Sequence, residues 1–196
     1  MTPQVSERLK PLLGMARLAR GRVDGLEQFG DTPQAFLASL APLLAFPIVG
    51  AALSLASDGV LRALATLFAT VVLQLAPAVL SHALARAWGR EAQWLRYATA
   101  FNWCQWALPL AAVALLIVQQ FALWLGLPKD AASQMLIVGL AAYGLWLNWL
   151  LARHGLSLSR GRAAGLVALT NLGTIVLAVG PQVLLLALGM GDGAGQ

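Results

Sequence analysis

The chain has 196 residues, 59% of them hydrophobic and 11% charged, with 13 Lys and Arg against 8 Asp and Glu for a net charge of +5. Soluble domains run at about 45–50% apolar and about 25% charged, so too few polar groups are present to clothe a globule in water. The composition excludes a water-soluble enzyme or a nucleic-acid reader and points to an all-α integral membrane protein with little mass outside the bilayer.

Residues 1–34 form a polar N-terminal segment. Within it Leu12, Leu13, Met15, Ala16 and Ala19 accompany Arg17 and Arg20, with Arg22 just beyond. The pattern suits a short amphipathic helix on the cytoplasmic membrane surface, or a helix that docks a partner. The first apolar run begins too late for the core of a signal peptide, so no cleaved leader is expected. Thr at position 2 and a Gly-Ala-Gly-Gln end offer no lipidation motif.

A bilayer crossing takes about 20 mostly apolar residues. Five runs meet this: 35–56, 60–82, 98–125, 132–152 and 163–188. Thr32-Pro33 predicts an N-cap followed by proline at the first helical position, opening the first span. Ser57-Asp58-Gly59 leaves room only for a tight hairpin into the second. The third run is long enough to tilt, and Gly126 to Asp130 separates it from the fourth. Pro42, Pro47, Pro77, Pro109 and Pro181 lie inside spans, where each removes a backbone hydrogen bond and predicts a kink. Small residues four apart (Gly50/Ser54, Ala107/Ala111, Ala164/Ala168, Thr170/Thr174) permit close helix approach. The expected organisation is an N-terminal segment 1–34, one five-helix transmembrane domain 35–190, and a short tail 191–196.

Orientation follows from the basic residues. Arg8, Lys10, Arg17, Arg20 and Arg22 precede span one, Arg86, Arg90 and Arg96 follow span two, and Arg153, Arg160 and Arg162 follow span four. Five spans put these eleven on one face and leave only Arg62 and Lys129 on the other. The positive-inside rule makes the first face cytoplasmic, with the N-terminus inside and the C-terminus outside. Trp88, Trp94, Trp103, Trp106, Trp146 and Trp149 fall at the same face, and Trp124 at the other. A basic and aromatic inner surface, built on Arg17, Arg20, Arg22, Arg86, Arg90, Arg160 and Arg162, suits anionic lipid headgroups.

No Asp or Glu lies within the five runs, which argues against an intramembrane aspartyl protease or a carrier built on a membrane carboxylate. There is no zinc-binding His-Glu-x-x-His, no nucleophile elbow, no Walker loop and no dinucleotide fingerprint. Neither a metal nor a cofactor is expected. His82 and His154 share a level; they are read as wet interfacial rings, with haem ligation as the competing reading. Cys104 is the only cysteine and is read as a small hydrophobe.

The remaining candidates are uncharged. Gln74, Asn102, Gln105, Asn148 and Asn171 (with Thr170 and Thr174) fall in the inner half of their spans, the deepest at ~12 Å, with Gln74 at the depth of Asn171. An amide facing lipid is costly, so all five are expected to face the bundle. They are either interhelical hydrogen-bond glue or the lining of a polar cavity for a lipid headgroup or small solute.

The whole resembles the Yip1 family of small membrane proteins. The resemblance rests on five closely spaced spans, Asp31-Thr32-Pro33-Gln34-Ala35-Phe36 at the start of the first, and Tyr97, Phe101 and Pro109 in the third. It covers roughly residues 30–190 and implies a bacterial inner-membrane relative that works by helix association. The family offers no catalytic residue. The expected function is a non-enzymatic accessory or scaffold component of a membrane assembly, in contact with other membrane subunits or a second copy of itself. The alternative is a small transporter or lipid-binding protein using the polar belt.

The eleven-to-two basic bias has a direct consequence for topology. A reporter enzyme active only outside the cytoplasm is expected to work when fused after Gln196 and to fail when fused within 85–95. Equal activity at both positions overturns the five-span orientation.

Overall fold

A computed structural model describes residues 3–187; the tail 191–196 lies outside the described residues. The described chain is helical: α1 (Pro3–Leu18), a short 3-10 helix (Val23–Gln28), α2 (Pro33–Asp58), α3 (Val60–Ala87), α4 (Glu91–Cys104), α5 (Ala107–Trp124), α6 (Lys129–Gly155) and α7 (Arg160–Ala187). Five segments are long and apolar enough to cross a membrane: Pro33–Ser57, Val60–Ala87, Glu91–Trp124, Lys129–Gly155 and Arg160–Pro181.

The local signals at the first hairpin hold. The Thr32 hydroxyl accepts from the Ala35 N–H at 3.2 Å, with Pro33 in the first turn. Gly59, at φ 84°, is the single residue between α2 and α3. That left-handed backbone is open to glycine at no steric cost.

The helices run past their apolar windows at the Arg-rich end. The stretch 83–97 reads as a loop, but α3 continues to Ala87 and α4 starts at Glu91. Arg86 and Arg96 are therefore helical, and only Trp88, Gly89 and Arg90 connect the two. Good helix formers extend a helix whether or not they are apolar, and Gly89 is the first breaker reached.

The third span is two helices. Pro109 has no N–H to give, and its ring crowds the carbonyl four residues back, at Gln105. The hydrogen-bond pattern is interrupted at Gln105–Trp106, where the backbone stays in the helical region but tightens to bonds three residues back, and Pro109 sits in the first turn of α5. Pro42, Pro47, Pro77 and Pro181 interrupt nothing of this kind; each lies within a continuous helix.

Packing divides the spans into two arms. α2 packs on α3 and α3 on α7; α5 packs mainly on α6. The arms join through α4, which touches α1, α2, α3 and α6, and through contact between α6 and α7. The buried core lies at the Arg-rich base: Leu18, Phe29, Ala85, Tyr97, Cys104, Leu147, Leu151, Leu156 and Leu166 belong to one cluster. Beyond the base the arms turn apolar side chains outward, Leu61 at 84%, Trp124 at 79% and Phe68 at 74% exposure.

Glycines carry the close approaches within the arms. Leu80 of α3 lies over Gly173 of α7, and Leu108 and Leu115 of α5 lie over Gly144 and Gly139 of α6. Gly50, the small residue expected to mediate contact in α2, has open space where a side chain would stand.

The N-terminal segment is part of the base. Met15 and Leu18 of α1 are buried with Leu26 and Phe29, while Leu12 and Leu13 stay exposed. Tyr143 of α6 donates its hydroxyl to the Ala19 carbonyl at 3.0 Å. α1 meets the 3-10 helix backbone to backbone. A Cβ at Gly25 would lie 2.6 Å from the Gly14 carbonyl oxygen and 3.0 Å from the Arg17 Cβ. Gly25→Ala is expected to destabilise the protein by ~1–3 kcal/mol, read as a lowered Tm in detergent. Gly165→Ala, whose methyl meets nothing within 4 Å, is the matched control and is expected to be neutral or stabilising.

Candidate binding cleft

The gap between the arms is a cleft in two lobes. The larger, about 610 Å³, lies between α6 and α7, with Pro77 of α3 and the end of α4 behind it. The smaller, about 360 Å³, lies toward α2 and α3. Phe101, Gln105, Leu108 and Pro77 border both lobes. The break at Gln105–Trp106 therefore stands at the junction of the two. No residue lining either lobe carries a charge. The walls are mostly apolar, and the polar atoms come from a few amides and hydroxyls.

Three of the five belt amides meet in the larger lobe: Gln105 from α4's end, Asn148 from α6 and Asn171 from α7. Thr170 and Thr174 join them. Gln74 lines the smaller lobe, with Gln105 opposite. The contact of Leu80 on Gly173 fixes the antiparallel register of α3 and α7. That register sets Gln74 roughly eight residues, or ~12 Å, farther from the base than Asn171, so the two do not share the depth expected for them.

Asn102 goes elsewhere. It is buried, and its Nδ2 donates to the Ser39 Oγ of α2 at 2.9 Å. Ser39 in turn donates to the Phe36 carbonyl at 2.6 Å. This chain pins α4 to α2. A second pin joins α4 to α3, where Trp94 Nε1 donates to Ser81 Oγ at 3.2 Å. Ser39 and Ser81 were not among the sequence candidates. A serine in an apolar run is the available signal, but its partner lies 63 residues away in the first case.

The cleft amides do not pair with one another. Asn171 donates to the Val167 carbonyl of its own helix at 2.7 Å, and its side chain is otherwise exposed to the cleft. Thr170 donates to the Leu166 and Val167 carbonyls, and Thr174 to that of Thr170 at 2.8 Å. Gln105 and Asn148 make no side-chain hydrogen bond among the described residues. Gln74 Oε1 is buried without a donor.

The basic surface is partly neutralised. Arg17 and Arg22 share Asp24 at 3.2 and 3.0 Å, and Arg96 meets Asp31 at 2.7 Å. Arg20 reaches the Ala16 carbonyl. Arg86, Arg90, Arg160 and Arg162 hold no carboxylate among the described residues. His82 lies 3.4 Å from Glu91 and edge-on to Trp94. Among the described residues no three His, Cys, Asp or Glu gather as metal ligands would.

No family model, curated protein or solved structure matches the chain.

The hydrogen-bond geometry separates two kinds of amide. Ser39→Ala leaves the buried Asn102 N–H without its partner and is expected to cost ~1–3 kcal/mol. Asn171→Leu removes a bond made only within α7 and is expected to cost less than ~1 kcal/mol. Thermal unfolding of both variants in one detergent checks the ranking.

Proposed function

We propose that the protein works without catalysis, as a multi-pass membrane protein that holds a lipid-like amphiphile in the cleft between its arms. The observation that carries this reading is the fate of the amides. Glue would show as amides bonded across helices, whereas Gln105, Asn148 and Asn171 converge on one open lobe and leave one another unbonded. Apolar walls with a few converging polar groups are the usual make-up of a small-molecule site, and both lobes fall in or near the usual range of about 300–1,000 Å³. The lining includes no acid, base or nucleophile arranged for chemistry.

We place the protein in a bacterial inner membrane with its Arg-rich base at the cytoplasmic face. The eleven-to-two bias supports that orientation. Arg86, Arg90, Arg160 and Arg162, unpaired with carboxylates, are then available to anionic headgroups, each worth ~1 kcal/mol near a surface. Relationship to the Yip1 family remains part of the proposal and rests on the five spans and the Thr32-Pro33 start.

The second reading is an accessory or scaffold subunit. Its support is the apolar far halves of both arms, which another subunit or a second copy covers as well as lipid does. Native mass spectrometry of gently extracted protein tests both. Ala141 lines the larger lobe and is exposed. Ala141→Phe is expected to cut co-purified lipid several-fold while stability moves by no more than ~0.5 kcal/mol. Unchanged lipid beside a stable protein partner or dimer overturns the cleft reading and promotes the scaffold.

A further inference from the structure

The free hydrogen-bonding groups of the cleft bear on the kind of head the amphiphile carries. A threonine hydroxyl has one hydrogen. Thr170 and Thr174 have both spent theirs on helix carbonyls, which only accept. What these two side chains still offer is lone pairs. Asn171 turns its NH2 to the Val167 carbonyl, so its amide oxygen is uncommitted. The α7 wall of the larger lobe is therefore rich in acceptors. The smaller lobe adds one more open acceptor, Gln74 Oε1, which is buried and which no donor reaches. Leaving a buried oxygen of this kind without a donor is unfavourable, and a ligand's O–H would satisfy it.

Charge and depth narrow the class further. Neither lobe is lined by Arg, Lys, Asp or Glu. Asn171 and Thr174 lie 11 and 14 residues into α7 from Arg160, which is ~16–21 Å along the helix axis. A phosphate held at that depth would sit in an apolar cleft without a cation, at a cost no neutral hydrogen bond offsets. Uncharged heads tolerate that position.

We infer that the cleft selects an uncharged lipid alcohol, a membrane lipid whose head is a free hydroxyl, over phospholipids and over lipids whose heads only accept hydrogen bonds. The hydroxyl donates to the α7 acceptors, and its oxygen accepts from the unbonded amide of Gln105 or Asn148. The hydrocarbon chain lies along the apolar walls of the two lobes. This inference rests on the cleft reading proposed above.

The test is competitive binding to the full-length protein in nanodiscs, read by native mass spectrometry. The probes are dioleoylglycerol, the same molecule with its hydroxyl acetylated, dioleoyl phosphatidic acid, a long-chain quinone and a polyprenol. Dioleoylglycerol is expected to outcompete the acetylated form by about tenfold and the other two non-alcohols by at least as much. Polyprenol against dioleoylglycerol separates the two sources of lipid hydroxyl, an isoprenoid or a glyceride, and binding of either supports the inference. Thr174→Val with Asn171→Leu is expected to bring the preference over the acetylated form close to one, and Thr174→Ser with native Asn171 to retain it. Equal binding of hydroxylated and acetylated lipid, both lost in Ala141→Phe, overturns the inference and leaves the cleft reading standing. Binding that Ala141→Phe does not change removes the cleft reading itself.

Discussion

Pro109 stands just after the one turn that interrupts a membrane-spanning segment among the described residues. The proline cannot donate to the Gln105 carbonyl, and the helical hydrogen-bond pattern is interrupted at Gln105–Trp106, whereas the other four prolines within the spans lie inside continuous helices. α4 stops at Cys104 and stays within the base, packed against α1, α2, α3 and α6. α5 starts at Ala107 and runs with α6. The cleft is lined from α3, α4, α5, α6 and α7 around this turn. Gln105, at this turn, borders both lobes.

The base holds the two arms together by two different forces. At the Arg-rich end Leu18, Phe29, Leu151, Leu156 and Leu166 are withdrawn into one cluster, to which the water beside the membrane surface contributes a hydrophobic drive. In the far halves the surrounding lipid is as apolar as leucine, and no such drive exists between helices. Contacts there are made where glycine lets a leucine close in, at Gly173, Gly144 and Gly139. The polar pins, Asn102 on Ser39 and Trp94 on Ser81, lie on α4, the one helix that both arms share. The N-terminal segment belongs to this base through Met15, Leu18 and the Tyr143 bond to Ala19.

The polar groups divide by what each can reach. Asn102 faces a serine across a helix boundary and becomes structural. Asn171 bonds to the Val167 carbonyl one turn back in its own helix and leaves its oxygen to the cleft. Residues of one chemical type at similar positions in their spans thus take opposite roles. The difference is the neighbour, not the side chain.

Much of this was legible in the residues alone. Composition determines that the chain is helical and lies in a membrane, because backbone groups in hydrocarbon must bond within their own segment. Five apolar runs, the Thr32-Pro33 cap and the Gly59 turn follow from local chemistry, which a helix end satisfies within a few residues. The uncharged character of the spans, and so of the cleft, is equally a matter of sequence. Helix ends at the base were not legible, because Arg86 and Arg96 extend a helix as readily as they populate a loop. Five prolines looked alike, and only the third span broke at one. The division of the amides between pin and cleft, and the twelve-ångström offset of Gln74 from Asn171, were decided by the register of α3 on α7 and by the parting of the arms. Those depend on which side chain meets which across helices up to 93 residues apart, as Leu80 meets Gly173. An amide within an apolar run has the same local sequence pattern whether it faces a serine or a void, and only the packed helices distinguish the two.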